Sequence, residues 1–239
     1  MLVIGQSIPM WCCIAYYPKT GRVSDWRDMN TTLGNLPDSW NEIDELIGLL
    51  RAWGISYLVG LDHGNRPSRI ERDQQSVVAL IQRLAQCDEY PRVRDASISL
   101  FLLHPELADA VLQALHESDP EITERIAVLT LATLYLQRLW LFRLTMALGH
   151  TPCFPEQRFA FLWESRNLPP PTYHYGKYGL LALQEAEQRR TGFPFTFIGD
   201  WQNQVDQLLL QEEAKHHQVN EGELYVVYQE ILSQLGKGH

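Results

Sequence analysis

The chain has 239 residues, of which 45% are hydrophobic and 21% charged, with seven Trp and ten Tyr. That mixture belongs to a folded globular protein rather than a disordered or fibrous one, and at this length roughly 70% of the unfolded surface can be buried without disulfides or metals. A formal net charge of -9 argues against a generic nucleic-acid-coating role, because nonspecific affinity comes from neutralising phosphates with Lys and Arg.

The N-terminal stretch MLVIGQSIPMWCCIAYY lacks Lys or Arg before its apolar run and has no small-residue cleavage site, so it reads as a strand or tail rather than a targeting segment. The cysteines are Cys12, Cys13, Cys87 and Cys153. None shows the two-residue spacing of a zinc or redox motif, and adjacent cysteines do not pair readily, so a reduced, cytoplasmic protein is expected. The first clear helix follows the NLPD loop: Ser39 is a candidate cap with Glu42 completing a capping box, Gly54 is the stop, and Ile43, Leu46, Ile47, Leu50 and Trp53 form the inward face. ISYLVGL, residues 55–61, is short, β-branched and aromatic and predicts a strand. RDQQSVVALIQRLAQC then reads as an amphipathic helix with Val77, Leu80, Ile81 and Leu84 inward.

His104-Pro105 and Asp119-Pro120 place proline where it fits the first turn of a new helix, which predicts helices near 92–103, 105–117 and 120–148. The last contains LATLYLQRLWLFRLTMALGH, where no charge occurs from Ile126 to Leu136. A membrane span needs about 20 mostly apolar residues, and Gln137, Arg138 and Arg143 interrupt this one, so a buried helix of a soluble protein is expected. On a continuous helix Thr130, Thr133, Gln137, Arg138 and Thr145 share an arc of roughly 140°. Arg143 falls on the opposite side, among Ala132, Leu136, Leu139 and Ala147. A buried cation there needs water, a carboxylate or a ligand, with Asp95, Glu164 and Asp200 as candidate acids.

After Gly149 come a loop, a short helix in RFAFLWESR, and NLPPPTYHYG, whose consecutive prolines predict a stiff extended linker. Helices are expected at about 177–190, at 201–217 with Asp200 as N-cap, and at 221–235. FPFTFIG reads as a strand or an extended packing segment. The whole predicts a mainly α, multi-helix globular bundle of about eight helices with a minor β element near residues 55–61. A larger helical part, 1–150, and a smaller one, 151–239, are expected to pack as one body.

No phosphate loop, nucleophile elbow, zinc-protease helix or EF-hand loop occurs, and no residue pattern identifies a cofactor. Glu212, Glu213, His216 and His217 pair at helical spacing, but zinc needs three or four ligands and no third partner is suggested by the spacing. ELIGLLRAWGISYLVGLDHGNRPSRIERD resembles the start of a minimal nucleotidyltransferase domain, which implies metal-held phosphoryl transfer with Asp62 and Asp73 as the carboxylates. The stretch departs from that pattern in having one glycine where the family has two small residues, and no acidic pair on a second strand. Arg66, Arg69, Arg72, Arg83, Arg92 and Arg94 are interleaved with Glu71, Asp73, Asp88, Glu89 and Asp95, the pattern of a salt-bridged surface more than of a nucleic-acid patch. TYHYGKYG sets three tyrosines, His174 and Lys177 beside the prolines, where they suit a partner contact. The expectation is a binding or adaptor subunit with a protein partner and no membrane. Its candidate contact residues are Arg143, Arg138, Gln137, Tyr173, Tyr175 and Lys177. The alternatives are a metal-dependent nucleotidyltransferase-like enzyme using Asp62 and Asp73, and a nucleic-acid-associated regulator using the Arg66 to Arg94 patch, which the net charge disfavours.

Overall fold

A computed structural model describes residues 38–58, 73–192, 194 and 197–216. The predicted N-terminal strand or tail, Asp62, Arg66, Arg69, Arg72, His217 and the helix at 221–235 lie outside the described residues. The described residues from Asn41 to His216 gather into one unit.

Helix α1 (Asp38–Ala52) buries Ile43, Leu46, Ile47 and Leu50, the expected i, i+3, i+4, i+7 stripe. It starts at Asp38, so Ser39 lies inside the helix rather than at its cap. Gly54, at φ +90°, ends it, since only glycine adopts that conformation without steric cost. Helix α2 (Gln74–Gln86) is capped by Asp73, which accepts from Ser76 N at 3.1 Å and from Ser76 Oγ at 2.6 Å.

Residues 55–58 form no strand. Ile55 and Leu58 are buried, but three residues apart they would face opposite sides of a strand. Ile55 N donates to Leu50 O at 2.9 Å, and the groups around it find partners in side chains. Gln211 Nε2 donates to Gly54 O at 2.6 Å, Ser56 N donates to Gln211 Oε1 at 2.7 Å, and Arg51 donates to Leu58 O at 3.1 and 3.2 Å. One glutamine amide supplies the donor and the acceptor that a neighbouring strand would have offered. The rest of the predicted strand, from Val59, lies outside the described residues.

The predicted helix at 92–103 is broken at Ala96 into α3 (Pro91–Asp95) and α4 (Ser97–Leu103). A single 3-10 turn then leads into α5 (Ala108–Glu117). Helix α6 (Pro120–Leu139) is the central element: every residue from Ile126 to Gln137 is buried, and it packs against α2, α4 and α5. A helix apolar all round belongs in the interior. Thr130 and Thr133, expected on a polar stripe, are fully buried, and each hydroxyl donates to the carbonyl four residues back, at 2.7 and 2.8 Å.

The segment 120–148 is not one helix. It breaks at Trp140 (φ -105°, ψ 13°), and α7 (Leu141–Leu148) leaves at an angle of 86°. Neither proline nor glycine marks the break. Gln137 and Arg138 tie the end of α6 to residues 154 and 156, while Leu144 and Ala147 are buried, so tertiary packing overrides the helical pattern. Among the described residues no single helix is long and apolar enough to cross a membrane.

Helix α8 (Ala160–Glu164) follows a 3-10 turn. The proline linker extends only through Pro170, where Tyr173 N donates to Pro170 O at 2.9 Å and starts a tight turn. Helix α9 (Lys177–Thr191) packs against α6, so residues on both sides of Gly149 share a core. Helix α10 (Phe197–His216) begins earlier than its sequence suggests, which puts Asp200 in its first turn rather than at its cap. It lies on α3, α4 and α7, where Gln204 accepts from Tyr57 Oη at 2.8 Å and Ser99 Oγ donates to Gln204 O at 3.0 Å.

Under α10 lies the most buried acid described here. Asp95 is 3% exposed and pairs with Arg94 Nε at 2.9 Å, and Arg94 also faces Asp88 at 3.7 Å. Burial pushes the Asp95 carboxyl above the usual range, with Arg94 opposing, and partial desolvation raises that of Asp200 although it is exposed. A carboxyl raised in the folded state contributes stability that is complete below the unfolded pKa, near ~3.9, and is lost as pH rises. We therefore expect the stability of the wild type, measured against Asp95→Asn, to fall as pH is raised from about 4 toward neutrality. Urea midpoints of the two proteins across that range check it, and a difference that grows with pH would mean the Arg94 pair outweighs burial.

Candidate functional site

The six sequence candidates do not form one site. Gln137 is buried, accepting from Phe154 N at 2.8 Å and donating to Phe154 O at 3.3 Å. Arg138 grips Glu156 with two hydrogen bonds, one of them at 2.8 Å. Both hold the loop before the 3-10 turn at Glu156–Phe159, where Phe154 stacks between Phe101 and Phe159 at 5.5 and 5.1 Å.

Arg143 is on α7, and the bend at Trp140 removes it from the apolar side of α6. Its side chain is half exposed, 3.7 Å from Asp206 and with its guanidinium 4.9 Å from the centre of the Trp140 ring. None of Asp95, Glu164 and Asp200 is the acid paired with it. Asp206 sits on α10, an element the spacing did not place beside α7.

Tyr173, Tyr175 and Lys177 are neighbours in the chain on the turn between the prolines and α9, but of the three only Tyr173 joins a ring cluster, with His174 and Tyr178. The 3-10 turn Tyr173–Gly176 holds three successive residues in the left-handed region: His174 at φ 47°, Tyr175 at φ 55° and Gly176 at φ 79°. Glycine adopts this freely and histidine tolerates it better than most, but for a bulky residue such as Tyr175 it costs roughly 1–2 kcal/mol. The surrounding contacts impose it. Gly176 lies against the backbone of Tyr135 on α6, so close that a Cβ would stand 2.4 Å from the Tyr135 carbonyl oxygen. Gly179 lies on the Tyr135 ring, where a Cβ would meet Cε1 at 2.1 Å. The buried Tyr135 completes the clamp by donating from Oη to Pro169 O at 2.8 Å, and burial raises its hydroxyl pKa.

The clamp turns a set of rings outward. Tyr173 meets His174 edge-on at 4.5 Å, and His174 meets Tyr178 at 4.8 Å. Tyr173, Tyr178 and Leu181 are about half exposed, and Tyr175 is 76% exposed. His174 and Tyr178 belong to the quoted stretch, but Tyr135 was missed. The only signal was the Gly-x-x-Gly spacing of 176 and 179, which marks a close approach without naming its partner.

Several of the other candidates are engaged elsewhere. Asp73 is engaged by Ser76 as a helix cap. Arg83 pairs with Glu45 at 2.8 Å and Arg94 with Asp88 and Asp95. Glu212 pairs with Lys215 at 2.8 Å. Among the described residues no three His, Cys, Asp or Glu side chains converge as a metal site. No family model, characterised protein or solved structure matches this chain.

Proposed function

We propose that this chain is a cytosolic binding or adaptor subunit that docks a protein partner through the aromatic turn at residues 172–178. One observation carries the reading: Tyr175 is held outward in a left-handed conformation unfavourable to it, beside two further exposed tyrosines. Strained backbone persists where the surroundings over-determine it, and such strain clusters at functional sites. Tyrosines are effective anchors because a large, partly polar surface is presented with few rotatable bonds.

The test is Tyr175→Asn. Asparagine tolerates the left-handed region, so the variant is expected to gain roughly 0.5–1 kcal/mol, seen as a melting temperature higher by about 1–4 °C. It is also expected to lose a stoichiometric protein complex that the wild-type chain retains through purification. Loss of stability in the variant, or an unchanged complex, would show that the ring serves the fold or nothing at all.

A further inference from the structure

We infer that the partner segment taken by this turn is acidic, with carboxylates flanking an aromatic or aliphatic side chain; the inference rests on the docking reading above. From Thr172 to Gln184 the only formal charge is Lys177, in a chain of net charge -9, and the next acid along α9 is Glu185, two helical turns on, which faces Arg189 at 3.8 Å. Lys177 is the first residue of α9, and no acid occupies that first turn. Its ammonium has no ion pair or hydrogen bond among the described residues. A cation at a helix N-terminus lies at the positive end of the helix dipole, where it is disfavoured. The fold thus places an uncompensated positive charge at an unfavourable position, on the residue between the exposed turn and Tyr178 in the chain.

A carboxylate from a partner would meet Lys177 and the positive end of α9 together, while an apolar side chain of the same partner lay on the tyrosines and Leu181. Such complementarity sets specificity and on-rate more than raw affinity. A basic partner would be repelled by Lys177. Single-stranded nucleic acid could stack on the rings, but its phosphates need several cations, and this surface offers one.

The test pans a random twelve-residue peptide display library on the full chain, and measures the enriched peptides by fluorescence anisotropy. Wild type is compared with Lys177→Glu and with the double variant Tyr173→Ser/Tyr175→Asn. Lys177→Glu suits the helix dipole, so its fold is retained. The expected result is enrichment of acidic peptides that bind the wild type about tenfold more tightly than Lys177→Glu, fail on the double variant, and weaken as salt is raised. Peptides without acidic bias that still fail on the double variant would overturn the acidic inference and leave the docking reading standing. Peptides indifferent to both variants would overturn both. A fluorescent twelve-nucleotide oligouridine held through Lys177 and the tyrosines would overturn both in favour of a nucleic-acid ligand.

Discussion

Gly176→Ala is expected to be among the most damaging single methyl groups that can be added to this fold, costing about 3 kcal/mol or more. Two effects combine at one carbon. The φ of 79° is unfavourable to any Cβ, and the Cβ would stand 2.4 Å from the Tyr135 carbonyl oxygen, with Tyr135 Cα and C at 3.0 and 3.1 Å. Those atoms belong to the middle of α6 and cannot rotate aside. The turn would have to lift away, and the exposed rings would lose their fixed geometry. Gly192→Ala is the matched control, because Gly192 has a similar φ of 72° but, among the described residues, nothing lies within 4 Å of its would-be Cβ. It should show the backbone effect alone, about 1–2 kcal/mol. Urea denaturation of the two variants separates the contributions, and equal losses would mean that the packing against Tyr135 is not tight.

Gln137→Leu should be comparably severe, at about 2–4 kcal/mol, although leucine is similar in size and better suited to a core. Gln137 supplies an acceptor to Phe154 N and a donor to Phe154 O. Both backbone groups are deep enough that water does not replace the amide: Phe154 is 1% exposed. A buried donor or acceptor left without a partner costs about 1–3 kcal/mol each, far more than the net worth of a typical hydrogen bond. The loss would spread to the Phe101, Phe154 and Phe159 stack, so near-ultraviolet circular dichroism should change along with the denaturation midpoint. A variant with wild-type stability would show that the loop satisfies itself in another way.

The fold was legible in the sequence where a single period governs. Ile43, Leu46, Ile47 and Leu50, and Val77, Leu80, Ile81 and Leu84, are buried as their spacing predicts, because an amphipathic stripe has one way to face a core. Prolines 105 and 120 mark helix starts for an equally local reason. The break at Trp140 was not legible, since it follows from ties between residues 137 and 154 and between 138 and 156 rather than from a helix-breaking residue. Arg143 was misplaced by the same continuous-helix assumption. Residues 55–58 carry strand-like side chains, but a strand also requires alternating burial and a partner, and here Ile55 and Leu58, three apart, are the buried pair. The partner here is a glutamine more than 150 residues away. Of the site, the exposed tyrosines and Lys177 were readable as a cluster. The clamp that fixes them was not, because a glycine reports that something is close without reporting what.

The side-chain amide of Gln211 has a consequence for the protein's behaviour when crowded. An extended segment containing Ile55, Tyr57 and Leu58 is the kind of sequence that recruits a second chain along an unpaired edge and seeds cross-β assembly. Here the Gly54 carbonyl and Ser56 amide are already saturated by the buried side chain of Gln211, which belongs to a helix and cannot be extended by another strand. The glutamine completes the local hydrogen bonding from a helix, and so offers no further open edge of the kind that a neighbouring strand would have presented to another chain.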